Sequence, residues 1–344
     1  MSVVSSPSAT EARPRVWISR PTFDDIVARL TPYFEVVEEA EERRLPASEL
    51  TAKLADCDAA IVGLKERIGA AEIAGATRLR IVANLAVGYD NLDVPALTAA
   101  GIAASNTADV LNESVADYTW ALLLGAARRM NAAERWLRAG HWHATEFKAW
   151  LGLDLRGRTL GILGMGRIGQ AIARRAPGFG MDVVYHNRSR LPDPLERECA
   201  ARYVGNDELL RTADFLVLAL PLTAASRHAI GAPELALMTP TAVLVNIARG
   251  GIVDDAALAE ALGAGRLAAA ALDVFEGEPT PNPALLALDN VVLSPHIASA
   301  SHDTRRAMAA MAVDNVLALF GHGPHAGHPP TLLNPEVLAT RPAP

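Results

Sequence analysis

The chain has 344 residues, half of them apolar, and a formal net charge of −7 from 39 acidic and 32 basic side chains. That length exceeds one ordinary domain and fits two, each with enough apolar residues for a core; the acidic balance argues against nucleic acid as the main partner. Two distant cysteines, Cys57 and Cys199, exclude a disulfide framework and a cysteine-rich zinc site, and make a reducing cytoplasm the default.

In chain order, Met1–Ala9 is small and polar, lacks the parts of a signal peptide and is expected to be disordered, within a tail taken as residues 1–13. Arg15–Ser19, Ala59–Val62, Arg80–Asn84 and Ile102–Ala104 read as strands, with helices over Asp24–Pro32, Ala47–Leu54 and Val94–Ala100. This third has no phosphate-binding glycine signature and reads as a small sheet domain. Glu113–Arg129 reads as one long helix joining two domains, apolar at Val115, Tyr118, Thr119, Leu122 and Leu123. Its apolar core, from Trp120 to Leu124, is far short of a bilayer span, so no membrane partner is expected. Residues 139–150 carry large rings without a clean period and read as an arm or loop.

From Arg158 onward the rhythm tightens. Strands are expected at Thr159–Leu163, Asp182–His186, Phe215–Leu220, Ala242–Asn246, Ala269–Leu272 and Val291–Ser294, with a helix over Ile168–Ala176. Alternating strands and helices of this kind build a doubly wound parallel sheet. A last helix, Thr304–Phe320, would return the chain to the first domain.

The run Gly161-Ile-Leu-Gly164-Met-Gly166-Arg167-Ile168-Gly169 places GxGxxG after an apolar strand and at the start of a helix. Gly164 allows the tight turn, Gly166 leaves room for a pyrophosphate, and Gly169 lets helix and strand pack closely. An NAD enzyme places an acid about 20 residues further on, to accept from the ribose 2′-OH. Here that place reads Tyr185-His186-Asn187-Arg188-Ser189-Arg190. An acid would oppose a 2′-phosphate by about 3 kcal/mol per unit charge at roughly 5 Å and an effective dielectric of about 20. Asn187 removes that penalty and Arg188 or Arg190 can add a charge-assisted bond, so NADP(H) is expected to be preferred, with NAD(H) possible.

Three further segments follow strands of the same sheet: Asn246-Ile247-Ala-Arg249-Gly-Gly, Leu272-Asp273-Val-Phe-Glu276-Gly-Glu278-Pro279 and Ser294-Pro-His296-Ile-Ala-Ser299. Together they offer a cation, a carboxylate and an imidazole. Reducing a keto acid needs a hydride on carbon and a proton on oxygen. A free histidine, with pKa about 6.5, is only about a tenth protonated at a pH of about 7.5, and a carboxylate partner raises that fraction. Either Glu276 or Glu278 could be the partner on chemistry alone.

In these motifs, in order and spacing, the chain resembles the D-isomer-specific 2-hydroxyacid dehydrogenases, and most of all their glyoxylate/hydroxypyruvate reductases that also act as 2-ketogluconate reductases. The segment His302–Asn315 and the Leu333-Asn334-Pro335 tail support that narrower likeness. The resemblance implies an α/β fold in which a doubly wound Rossmann cofactor domain, residues 112–303, is inserted into a smaller flavodoxin-like substrate domain, residues 14–111 and 304–335. It implies Arg249, Glu278 and His296 as the catalytic trio, the acid being the one immediately before Pro279. Substrate contacts are implied at Arg249, His296 and the backbone of Val87 and Gly88. Cofactor contacts are implied at Gly164, Gly166, Arg167, Ile168, Gly169, Asn187, Arg188, Ser189, Pro221, Ile247, Asp273 and Ser299, with Asp273 on the nicotinamide carboxamide. It also implies a homodimer through the cofactor domains. The apolar helix Glu113–Arg129 and the rings Trp136, Trp142, Phe147 and Trp150 are expected to build that interface, with hinges near residues 105–112 and 300–304.

Three other readings compete. An NAD-dependent relative such as a phosphoglycerate dehydrogenase is disfavoured by Asn187 and by the short stretch after Phe320. A dinucleotide-binding corepressor is disfavoured by the acidic balance and the complete trio. A metal site at His322, His325 and His328 lies in a Gly/Pro linker with no acid nearby, so no metal is expected.

Overall fold

Every strand in both sheets runs parallel to its neighbours. The computed structural model describes residues 13–340, so Met1–Ala9 lies outside the described residues. Two compact units emerge: one runs to Leu111 and resumes at His302, and the other is Asn112–Ser301.

The first unit holds β1 (Arg15–Ile18), β2 (Glu35–Glu38), β3 (Ala59–Val62), β4 (Ile81–Asn84) and β5 (Ala103–Ser105), in the order β2-β1-β3-β4-β5. This is the flavodoxin-like order, with its switch point between β1 and β3. The inner strands β3 and β4 are buried throughout because both faces are covered, as parallel sheets require. Ile18, Ile61 and Ile81 pack under the helix His302–Leu319 through Ala309, Val313 and Val316, while Trp17, Val62, Val82 and Leu97 fill the other face. The edge strand β2, Glu-Val-Val-Glu, is short and half-exposed and carries no apolar run that a sequence reading could detect.

The second unit holds β6 (Thr159–Leu163), β7 (Asp182–His186), β8 (Ala201–Tyr203), β9 (Phe215–Leu218), β10 (Val243–Asn246), β11 (Ala269–Leu272) and β12 (Val291–Leu293). Their order, β12-β11-β10-β9-β6-β7-β8, is the doubly wound one. The chain leaves β6 in one direction and returns at β9 on its other side, so the crevice above these two strands is the switch point. The strand β8, at the far edge, escaped the sequence reading for the same reason as β2.

The expected helix Glu113–Arg129 needs correction. It spans Asn112–Ala127 and stops because Arg129 is left-handed (φ 55°), after which a second helix, Met130–Arg138, begins. It is no exposed apolar rod. Val115, Trp120, Leu122, Leu123 and Ala126 are buried against β10, β11, β12 and the helix Arg167–Arg175, and the Trp120 indole donates to Ile172 O at 3.2 Å. Its apolar character belongs to the core of its own unit. Likewise the expected helix Asp24–Pro32 shrinks to Asp24–Val27 followed by turns. No described helix is long and apolar enough to cross a membrane.

Candidate active site

The glycine-rich turn sits at the end of β6, at the switch point. Gly164 has φ 101° and a Cβ there would lie 2.6 Å from the Ala219 backbone, so no other residue fits. A Cβ on Gly169 would meet Gly164 O at 2.4 Å, which is the close helix–strand approach. A Cβ on Gly166 would meet no protein atom within 4 Å, so the fold leaves open space there. The helix Arg167–Arg175 starts at Gly166 with no side-chain cap, and the N–H groups of Gly166 and Ile168 find no acceptor among the described residues. Open space, uncapped N–H donors and the positive helix end fit a dinucleotide's diphosphate.

At the end of β7, Asn187 Oδ1 accepts the Met165 N–H at 2.6 Å and Asn187 O accepts the Tyr203 hydroxyl at 3.2 Å. The side chain that stands in the acid's place therefore ties the glycine turn to the neighbouring strand. Arg188 is exposed and has no partner among the described residues, and Ser189 beside it is exposed too. Arg190, the other expected phosphate ligand, is committed elsewhere. It grips Glu196 through two bonds, 2.9 and 2.6 Å, and the Tyr185 hydroxyl donates to the same carboxylate at 2.6 Å. These donors hold the Glu196 carboxyl down at about 2, Arg190 first among them, and burial with the adjacent carboxylate pushes the Tyr185 phenol up to about 12. Nothing in a single sequence reveals this pair, because Glu196 meets Arg190 only after the chain turns into a helix at Asp193.

The trio meets at the ends of β10, β11 and β12. His296 Nδ1 lies 2.9 Å from Glu278 Oε2, and Glu278 Oε1 accepts the Phe275 N–H at 2.9 Å. Roughly a third of each side chain remains accessible, 31% for His296 and 33% for Glu278. Burial alone would raise the Glu278 carboxyl; the hydrogen bond and charge of His296, the Phe275 N–H and the charge of Arg249 outweigh it and hold that carboxyl below its ordinary value. Arg249 is half-buried and donates from one terminal nitrogen to Ala248 O at 2.8 Å. Of the two acids, Glu278 touches His296. Glu276 instead bonds Arg227 and, at 3.1 Å, His228, while its N–H donates to Asp255.

Asp273, expected on the carboxamide, is wholly buried, and its oxygens accept from the loop that carries His296. Oδ1 accepts from the Ser294 hydroxyl at 2.7 Å and the Ile297 N–H at 2.8 Å, and Oδ2 accepts from the Ala298 N–H at 2.8 Å. His296 itself is left-handed, φ 55°, an unfavourable conformation for a side-chain-bearing residue that these bonds around it hold in place. Among the other expected cofactor contacts, Pro221 is exposed and its carbonyl accepts from Ser226, Ser299 is half-buried, and Ile247 is buried.

In the first unit, the loop after β4 carries Val87 and Gly88. Its shape depends on three asparagines that the sequence reading passed over. Asn84 Nδ2 donates to Gly88 O at 2.9 Å, Asn106 Nδ2 donates to Val87 O at 2.9 Å, and Asn91 ties Asn84 to the carbonyls of Gly63 and Glu66. Among the described residues no group of three or more His, Cys, Asp or Glu could hold a metal ion; His322 stacks on Tyr33 at 4.0 Å.

Residues 120–298 match the family described as D-isomer specific 2-hydroxyacid dehydrogenase, NAD binding domain. The chain belongs to that family. It is an NAD(P)-dependent oxidoreductase, and a nicotinamide dinucleotide is its cofactor. The dehydrogenase is 47% identical over 334 residues to the glyoxylate reductase of Thermococcus gammatolerans, covering 96% of this chain and 98% of the relative. The glyoxylate reductase of Aeropyrum pernix is likewise 47% identical, over 335 residues, with 96% and 98% covered. Among solved structures, the NADPH-dependent glyoxylate/hydroxypyruvate reductase of Sinorhizobium meliloti, in complex with NADP and malonate, matches with a TM-score of 0.85 at 39% identity, over 97% of this chain and 100% of that one.

Proposed function

We propose that this dehydrogenase reduces small 2-keto acids, glyoxylate and hydroxypyruvate first and 2-ketogluconate with them, to D-2-hydroxy acids, with NADPH preferred. The observation that carries the reading is the bond between His296 Nδ1 and Glu278 Oε2. It occupies one ring nitrogen and leaves Nε2 to deliver a proton. The carboxylate orients the ring and accepts its Nδ1 proton, so that Nε2 is the nitrogen aimed at the substrate oxygen. The reduced nicotinamide supplies the hydride to the carbonyl carbon. Arg249 binds a carboxylate in a fork and polarises the carbonyl oxygen. In the first unit, the Val87 and Gly88 N–H groups are carboxylate donors in their own right.

Support for NADPH comes from the neutral Asn187 and from Arg188, whose charge is not spent on a carboxylate. Arg190 is removed from that role by Glu196. Support for the keto acids comes from the relatives named above. A spectrophotometric panel of glyoxylate, hydroxypyruvate, pyruvate and 2-ketogluconate, each with NADPH and NADH, tests both. No turnover of any 2-keto acid would overturn the assignment, and NADH favoured by tenfold or more would overturn the cofactor preference.

The same reading includes a homodimer built by the cofactor domains. The segment from Met130 to Leu151 leaves five large apolar side chains in water: Met130 at 58%, Leu137 at 51%, Trp142 at 60%, Phe147 at 96% and Leu151 at 68% exposure. Five such groups within one segment of 22 residues support this reading, since large exposed apolar groups favour an interface. Trp136 and Trp150, by contrast, pack on each other at 5.5 Å and shape the arm.

A further inference from the structure

Three consecutive carbonyls in the loop after β4 are each given a donor from within the first unit. Ala86 O accepts the Thr107 N–H at 3.0 Å, Val87 O accepts from Asn106 Nδ2 at 2.9 Å, and Gly88 O accepts from Asn84 Nδ2 at 2.9 Å. A trans peptide points its C=O and the following N–H in opposite directions, and none of these three peptides is cis. Pinning the carbonyls of residues 86, 87 and 88 therefore turns the N–H groups of Val87, Gly88 and Tyr89 away from the donors. None of those three N–H groups has an acceptor among the described residues. An ordinary loop satisfies donors and acceptors alike. Here the acceptors are satisfied in a row and the donors are left in a row, available to an anion.

We propose that Asn84 and Asn106 are positioning residues that hold this loop as a three-donor nest for a carboxylate, with the Tyr89 N–H as the third donor beside those of Val87 and Gly88. The inference rests on the keto-acid reading above for the identity of the anion. Both asparagines are built in rather than draped on the surface. Asn84 is fully buried and exchanges bonds of 3.3 Å with Asn91, whose own Nδ2 reaches Gly63 O and Glu66 O. Asn106, 8% exposed, is held from the far end of the chain: its N–H donates to Thr331 O at 3.2 Å and its carbonyl accepts the Thr331 hydroxyl at 2.6 Å. The mouth of the loop is open, since Tyr89 is 47% exposed. A mobile loop would have to freeze several backbone torsions on binding, and this one has them set beforehand.

The test uses the full chain loaded with NADPH and oxalate as the probe, a two-carbon dicarboxylate that binds without turnover. Asn84→Asp and Asn106→Asp keep the shape but set a carboxylate oxygen against the carbonyl formerly held. Each is expected to weaken oxalate binding by calorimetry about tenfold or more, while NADPH affinity stays within about twofold of the wild type. In glyoxylate turnover the same variants should raise KM and leave kcat at saturation within about threefold, the signature of lost uniform binding, which a general loss of structure would not produce. Should either variant fail to fold, amide spectra of the wild type labelled with 15N at Val, Gly and Tyr replace it. Oxalate is expected to move the Val87, Gly88 and Tyr89 resonances downfield. Folded variants that bind oxalate like the wild type, or a Tyr89 amide that oxalate leaves unmoved, would overturn the proposal. If the wild type binds oxalate at these amides but reduces no keto acid, the nest stands and the proposed reaction falls.

Discussion

Glu278 and His296 come within 2.9 Å of each other although they sit on loops after two different strands, β11 and β12. Each is fixed from behind, Glu278 by the Phe275 N–H and the His296 loop by Asp273. His296→Gln is therefore expected to lower kcat for keto-acid reduction by about 10² to 10⁴-fold while NADPH binding, read by fluorescence, stays nearly intact. Glu278→Gln should also lower kcat, because the ring loses the carboxylate that orients it. Glu276→Gln should leave kcat near the wild-type value, since Glu276 meets Arg227 and His228 instead. The opposite pattern from the two glutamate variants would exchange their roles.

Asp273 acts on His296 through the backbone. In Asp273→Asn one acceptor oxygen becomes a donor facing groups that already donate, so the left-handed turn at His296 loses part of its support. We expect kcat to fall by about 10²-fold, as for a displacement of about 1 Å at the reacting centre. The pH profile should keep its shape, because Glu278 still holds the ring. A variant with wild-type kcat would show that the loop stands without this carboxylate.

The cofactor prediction turns on neighbours with unlike fates. Arg188→Ala should reduce kcat/KM for NADPH by about tenfold with little effect on NADH, the loss of one charge-assisted bond. Asn187→Asp should swing preference toward NADH, because a negative charge meets the 2′-phosphate. Arg190→Ala should change stability more than cofactor choice, as its guanidinium is already paired with Glu196. Steady-state kinetics with both cofactors, read beside melting curves, separates the three.

The sign of the acid response follows from Glu196. Its carboxyl is lowered from 4.5 to about 2 in the folded chain, chiefly by Arg190 and then by Tyr185. A depressed folded value stabilises the protein above the unfolded value, and that stability is lost as pH falls through the folded one. Thermal melts should thus decline between pH 4.5 and about 2. Glu196→Gln should melt lower at neutral pH and show a shallower decline across that window. A parallel offset at every pH would assign the effect to packing instead.

Assembly can be read by light scattering. At micromolar concentration the mass should be twice the 36.4 kDa of one chain. Replacing the exposed Trp142 and Phe147 together by glutamate should shift the particle toward monomer without lowering the melting point of the cofactor domain by more than a few degrees, since neither ring is buried in its own chain. A fully active wild-type monomer would remove the dimer from the reading.

The sequence by itself determined the elements that carry periodicity or a local steric demand. The inner strands β3, β9 and β11 were legible because a strand covered on both faces is apolar along its length. The glycine turn was legible because Gly164 and Gly169 answer to backbone geometry within a few residues. Arg249 and His296 stood out by their place after strands, but Glu278 could be preferred to Glu276 only through the family resemblance. Tertiary structure decided everything that depends on which groups meet. It set β2 and β8 at the sheet edges, where few apolar residues are needed, and it buried much of the apolar surface of the helix Asn112–Ala127 within its own domain. It turned Asp273 inward, tied Arg190 to Glu196, and gave Asn84 and Asn106 to the carbonyls of the loop after β4. A hydrogen bond across 24 residues, as between Asp273 and Ile297, leaves no period in the chain; only the packed fold brings donor and acceptor within reach.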